Sequence, residues 1–238
     1  MVLKDYVCVD LETTGVNTKW SKIIEIGAVK VRNGAVVDTF SQLINPGEAV
    51  TPFITELTGI TDEMLQGKPT IEQVLPEFIE FAMDDVLLGH NLMFDFGFLK
   101  QNAANLKLAF DKKGIDTLKI ARKALPNLHS RGLEYLCAHY GILDENHHRA
   151  LNDAQVTSQL YLIFTEQFAQ DSPLSFEPKE LNYRVRKMTP ITERQKSYLK
   201  ALIEYHQIEI DYDISQLTKN EASKKIDKIL SEKGRIFY

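Results

Sequence analysis

Tyr6-Val7-Cys8-Val9 is an unbroken apolar run inside Asp5–Asp10, the pattern of a short strand covered on both faces. Ile23–Arg32 and Ala35–Ile44 read as a second and third strand. Asn33-Gly34 joins them, a dipeptide that readily takes the left-handed backbone of a two-residue hairpin. The period then changes. Thr51–Gln66 reads as a pair of short helical turns, and Thr70–Met83 places Ile71, Val74, Leu75, Phe78, Ile79 and Ala82 at helical spacing. Pro76 falls inside that pattern and is expected to kink the helix or delay its start. Val86–Leu88 is a short buried strand, and Met93–Leu106, Asp116–Leu125 and Arg131–Tyr140 read as helices. Arg149–Phe168 is a longer helix whose apolar stripe includes Ala154, Tyr161, Phe164 and Phe168. Strands first, then helix alternating with strand, predict an α/β domain with a mixed sheet and helices packed on it.

Beyond this the pattern weakens. Asp171–Pro190 holds three prolines with Arg184, Arg186 and Lys187, and reads as a linker. Thr192–Gln195 and Thr218–Glu221 each fit a capping box, so 191–238 is expected to be a small helical module. The expected division is thus 1–170, a linker over 171–190, and 191–238. Net charge is −5 over 238 residues, but unevenly placed. From Lys179 onward there are 13 basic and 9 acidic residues, against 15 and 24 before it. An acidic body suggests bound cations, and a basic tail suggests a polyanion. No apolar run of about 18 residues exists to span a membrane. Two cysteines, Cys8 and Cys137, cannot form a disulfide framework and suit no zinc site, so a reducing cytoplasm is the expected setting.

Three stretches carry chemistry. Asp10-Leu11-Glu12-Thr13-Thr14-Gly15 continues the first strand, where alternation points Asp10 and Glu12 the same way. Two neighbouring carboxylates repel unless a cation lies between them, and hard oxygen donors suit Mg²⁺ or Mn²⁺. Thr13 and Thr14 offer hydroxyls to a substrate. In Gly89-His90-Asn91-Leu92-Met93-Phe94-Asp95-Phe96, Asp95 stands among apolar neighbours, where an acid is costly unless paired or metal-bound. Asn91 is a further substrate-contact candidate, with a turn residue as the plainer alternative, and His90 is read as structural rather than ligating. The third stretch is His147-His148-Arg149-Ala150-Leu151-Asn152-Asp153-Ala154. His148 and Asp153 lie about 140° apart on an ideal helix, too far to share a face. They can meet if His148 sits on the loop before the helix. His147 is read as an exposed loop residue.

Taken together, DLETTG (10–15), HNLMFD (90–95) and HRALND (148–153) resemble the three exonuclease motifs of the DEDDh superfamily. The nearest likeness is to the epsilon proofreading subunit of bacterial DNA polymerase III and the related exonuclease domain of Gram-positive replicative polymerases. It covers roughly residues 3–170. Epsilon-like members often carry a histidine before a glycine where this chain has Thr58-Gly59. The resemblance implies a ribonuclease H-like fold with a five-stranded mixed sheet, two divalent metals (Mg²⁺ or Mn²⁺) and removal of nucleotides from a 3′ end. By the same resemblance Asp10 bridges the metals, Glu12 and Asp153 hold the one beside the attacking water, and Asp95 helps hold the other. His148 then takes the water's proton and must be neutral to do so, so activity is expected to rise from acid toward mildly alkaline pH. The tail is similar to a small helical module appended to various bacterial DNA-handling proteins.

The function expected is a metal-dependent 3′–5′ exodeoxyribonuclease of replication proofreading or repair, acting on single-stranded or frayed DNA ends, with a DNA polymerase as a candidate partner. Two alternatives stand beside it: an RNA-trimming exoribonuclease and a catalytically silent accessory that binds nucleic acid or polymerase. Lys224, Lys225 and Lys228, with Arg184, Arg186 and Lys187, are candidates for a phosphate-tethering face. If they tether DNA, truncation near residue 178 flattens the slope of log K against log[salt]; an unchanged slope removes the tail from phosphate binding.

Overall fold

The computed structural model describes residues 2–144, 148–187, 189–210 and 212–236. They divide into two compact units, one ending at Val185 and one beginning at Arg186.

The first unit is built on β1 (Tyr6–Thr13), β2 (Ile23–Arg32), β3 (Ala35–Leu43), β4 (Leu87–Gly89), β5 (Lys113–Asp116) and β6 (Lys179–Glu180), in the sheet order β3-β2-β1-β4-β5-β6. β1, β2 and β3 are antiparallel neighbours, β1–β4 and β4–β5 are parallel, and β6 closes the far edge antiparallel to β5. Asn33 and Gly34 have φ of 52° and 81°, the left-handed pair the β2–β3 hairpin requires. β1 is buried on both faces. Val7, Val9 and Leu11 face one core with α3 (Ile71–Ala82) and α4 (Met93–Asn105). Tyr6 and Cys8 face another with α5 (Thr117–Ala124), α6 (Leu133–Tyr140) and α7 (Ala150–Phe168).

Several expectations change. The sheet has six strands rather than five, because the proline-rich segment contributes β6. Leu181 continues the pairing by donating its N–H to Lys112 O at 2.9 Å. β1 runs three residues past Asp10, through Glu12, because β2 pairs with it up to Thr13. β5 went unread: Lys-Gly-Ile-Asp is too short to show alternation, and its pairing to β4 makes it a strand. Pro76 does not delay α3, which starts at Ile71, five residues ahead of it. Pro76 is exposed, so the carbonyl it leaves unpaired can be hydrated. α1 (Pro52–Thr58) and α2 (Asp62–Leu65) account for the expected pair of helical turns.

In the second unit, α8 (Glu193–Tyr205) and α9 (Lys219–Lys233) open on capping boxes at Thr192/Gln195 and Thr218/Glu221. Leu199, Leu202, Ala222, Ile226 and Ile229 form its core with Ile191, Ile214 and Leu217. Lys225 Nζ lies 3.6 Å from the centre of the Tyr212 ring, so this lysine is engaged within the unit, while Lys224 and Lys228 are exposed. Since β6 and Leu181 belong to the first unit, a truncation that spares the sheet edge must fall after Val185 rather than at 178.

α7 lies against β2 at Gly27. A Cβ there would overlap Leu151 N and Ala150 C, both backbone atoms. Gly27→Ala is therefore expected to lower stability by at least about 2 kcal/mol, or to prevent folding, since a helix backbone cannot yield as a side-chain tip can. Thermal or urea unfolding of the variant measures this.

Candidate active site

The end of β1 projects Asp10 and Glu12 onto the face that α7 covers. Opposite them on β2 stand Gly27, paired with Asp10, and Glu25, paired with Glu12. β4 stops at Gly89, and the chain turns through Asn91 (φ 67°) into α4. Asp95, in the first turn of α4, accepts the N–H of Leu11 on Oδ1 at 3.1 Å, which ties the α4 carboxylate to the β1 backbone. His148 lies on the loop before α7 with φ 62°, and Asp153 lies in the first turn of α7.

Asp10, Glu12, Asp95, His148 and Asp153 line one cleft of about 390 Å³. Its other walls include His90, Phe94 and the segment Gly132 to Tyr135. Glu12, His148 and Asp153 each present a ligand atom within 4.8 Å of the other two. Glu12, Asp95 and Asp153 are 8 %, 3 % and 4 % exposed, and Asp10 is half-buried.

Such crowding resists ionisation. Burial, then repulsion from Asp95, Asp153, Glu12 and Glu25, holds the Asp10 carboxyl well above the usual carboxylate range. Burial pushes Glu12 up to about 8, with Asp153, Glu25 and Asp95 adding and Arg149 opposing. Burial also raises Asp95, partly offset by the hydrogen bond from Leu11. A divalent cation relieves both costs at once, and a set of carboxylates with one imidazole is the donor chemistry of a hard or borderline ion. The residues present therefore fit a divalent metal.

The other candidates sit differently. Thr13 is buried and donates its hydroxyl to Gly15 O at 2.7 Å. Thr14 Oγ1 accepts the N–H of Lys22 at 2.9 Å. Both hydroxyls thus shape the loop after β1, and neither threonine lines the cleft. Asn91 is exposed, donates its N–H to Asp116 Oδ1 at 3.0 Å and also stays outside the cleft lining. Thr58 is buried, donates its hydroxyl to Ile54 O and accepts the Ile60 N–H, closing α1 before Gly59. His90 is held at both ring nitrogens, by Thr117 Oγ1 at 2.9 Å and Arg131 O at 2.8 Å, and burial lowers its pKa. It is a satisfied structural histidine that also forms part of the cleft wall. His147 lies outside the described residues. Sequence reasoning missed Glu25, although a lone acid inside the apolar run Ile23-Ile24-Glu25-Ile26 was a signal of the same kind as Asp95.

A mixed sheet whose central strand ends in clustered carboxylates, with an imidazole on the loop before a covering helix, is the architecture of an exonuclease domain. Residues 7–161 match the family model described as exonuclease, and the chain belongs to that family. The chain is 45 % identical over 156 residues to the DNA polymerase III PolC-type of Clostridium perfringens, covering 66 % of this chain and 11 % of that protein. It is 35 % identical over 210 residues to the PolC-type enzyme of Staphylococcus aureus, covering 87 % of this chain and 14 % of that one. It thus spans roughly a tenth of the length of the curated relatives it matches. Among solved structures, exonuclease X in complex with 5′ overhanging duplex DNA superposes with a TM-score of 0.56 at 26 % identity, over 69 % of this chain and 93 % of that one. Residues 189–235 match a family described as protein of unknown function (DUF3072). Among the described residues, no helix is long and apolar enough to cross a membrane.

The raised carboxyls set a pH dependence. Glu12 in the fold keeps its proton up to about 8, whereas its ordinary value is 4.5. Between those values the unfolded chain has shed a proton that the folded chain retains, so stability without metal falls as pH rises through that window. Glu12→Gln removes the penalty. It is expected to stabilise the metal-free protein at pH 8 by about 1 kcal/mol or more and to leave it unchanged at pH 4. Unfolding curves in EDTA at the two pH values give the answer; equal effects at both would refute the assignment.

Proposed function

We propose that this chain removes nucleotides from the 3′ ends of DNA in replication proofreading or repair, with two Mg²⁺ or Mn²⁺ ions in the cleft. One observation carries the reading: Asp10, Glu12, Asp95, His148 and Asp153, drawn from three separated stretches, line a single cavity. The kinship with PolC-type polymerases supports a DNA substrate and work beside a polymerase.

Asp10 would serve both ions, Glu12 and Asp153 would hold one, and Asp95 would help hold the other. When bound, the ions withdraw negative charge from the scissile phosphodiester and from its entering and leaving oxygens. The protein's own residues do the rest. The Leu11 N–H fixes Asp95 Oδ1, so this carboxylate keeps its orientation without substrate. His148, beside Glu12 and Asp153, accepts the proton of the attacking water in its neutral form. Phe94, half-buried on the cleft wall, offers a ring face to the terminal base. Thr13 and Thr14 act through the loop they stiffen, and Asn91 through the turn that leads into α4.

His148→Ala is expected to cut kcat by about 10² to 10⁴ while Mn²⁺ still binds. Asp10→Ala is expected to abolish cleavage. The assay follows 5′-labelled DNA and RNA oligonucleotides of matched sequence with Mg²⁺, then with EDTA. Stepwise shortening of DNA that stops with EDTA is the expected result. Faster shortening of RNA would make the protein an exoribonuclease, and retention of full length by both would make it a binder.

A further inference from the structure

A fifth acid in the site has no part in the scheme above. Glu25 is 1 % exposed and stands directly across from Glu12. Both of its oxygens accept hydrogen bonds from the start of α7 and the residue before it. Oε1 accepts Arg149 Nη2 at 2.7 Å, and Oε2 accepts Arg149 Nε at 3.2 Å and the Ala150 N–H at 3.0 Å. Arg149 is the N-cap residue of α7 and supplies no side-chain cap of its own. Glu25 therefore caps α7 from another strand, placing a negative charge at the helix start, where the helix dipole favours it. Two residues along β2, Gly27 leaves the space into which Ala150 and Leu151 fit. This clamp sits between His148 on one side and Asp153 on the other.

We infer that Glu25 is a positioning residue: through its paired hydrogen bonds to Arg149 and its bond to Ala150, it sets where His148 and Asp153 stand relative to Asp10 and Glu12. The inference rests on the roles proposed above for His148 and Asp153. It also explains why a buried acid is tolerated beside four others. Both oxygens turn toward Arg149 and Ala150, and Glu25 is not among the residues that line the cleft. Removing it leaves the start of α7 without its cap and frees the His148 loop. A displacement of about 1 Å at a reacting group costs about 10²-fold in rate.

The test uses the full chain and a 5′-labelled single-stranded DNA oligonucleotide with Mg²⁺, each variant assayed well below its own unfolding midpoint. Glu25→Gln is expected to lower kcat by about 10²-fold with KM for DNA unchanged. Arg149→Ala is expected to do the same, and the double variant to be no slower than the slower single one. Should Glu25→Gln fail to fold, Arg149→Ala and Arg149→Lys carry the comparison, since the Arg149 side chain is 40 % exposed. Parental kcat in these variants, losses that multiply in the double variant, or a rise in KM alone would overturn the inference. His148→Ala keeps the two readings apart. If it is as fast as the parent, the proton-acceptor role fails on its own; if it is inactive while Glu25→Gln is not, only the positioning role fails.

Discussion

The molecule is organised around an electrostatic conflict: acids from β1, α4 and α7 line one cleft. Burial and mutual repulsion hold the carboxyls of Asp10 and Glu12 above the usual carboxylate range, and burial does the same to Asp95. A fold can keep such a cluster only if the surrounding framework over-determines it. Here β1 lies inside the sheet with both faces covered, so the strand end cannot retreat to relieve the repulsion. The conflict becomes useful when a cation resolves it, and the apo state then stores part of the free energy that binding releases.

The framework delivers the four acids from different directions by simple means. Alternation along β1 puts Asp10 and Glu12 on one face. The parallel pairing of β4 with β1 brings the next chain reversal to the same end of the sheet, and α4 begins there with Asp95 in its first turn. α7 arrives over β2, where a glycine permits backbone contact and an acid fastens the helix start. The left-handed residues at Asn91 and His148 mark the two places where the chain turns sharply to enter those helices.

Much of this was legible in the sequence. The apolar run of β1, the Asn33-Gly34 hairpin, the long α7 and both capping boxes announce themselves through local patterns that tertiary contacts reinforce. The acids could be picked out because an ionisable group in apolar company demands an explanation. What was not legible depends on partners distant in sequence. β5 and β6 are strands only because a neighbour's edge is free to pair with them. The hydroxyls of Thr13 and Thr14 have local acceptors and donors that only the folded loop brings near. Lys225 matches its basic neighbours in sequence, and only the folded unit brings its Nζ over the Tyr212 ring. The apolar run marks Glu25 as an acid that needs a partner, but that partner, Arg149, lies 124 residues away and only the fold identifies it.

Divalent cations that bind among the buried carboxylates displace their protons into solvent. Titrating the metal-free protein with Mn²⁺ by calorimetry, at pH 7 in two buffers of different ionisation enthalpy, measures this directly. About two ions bound per chain, with an apparent heat that depends on the buffer because protons are released, is the predicted result. No binding, or binding whose heat is the same in both buffers, would contradict the account.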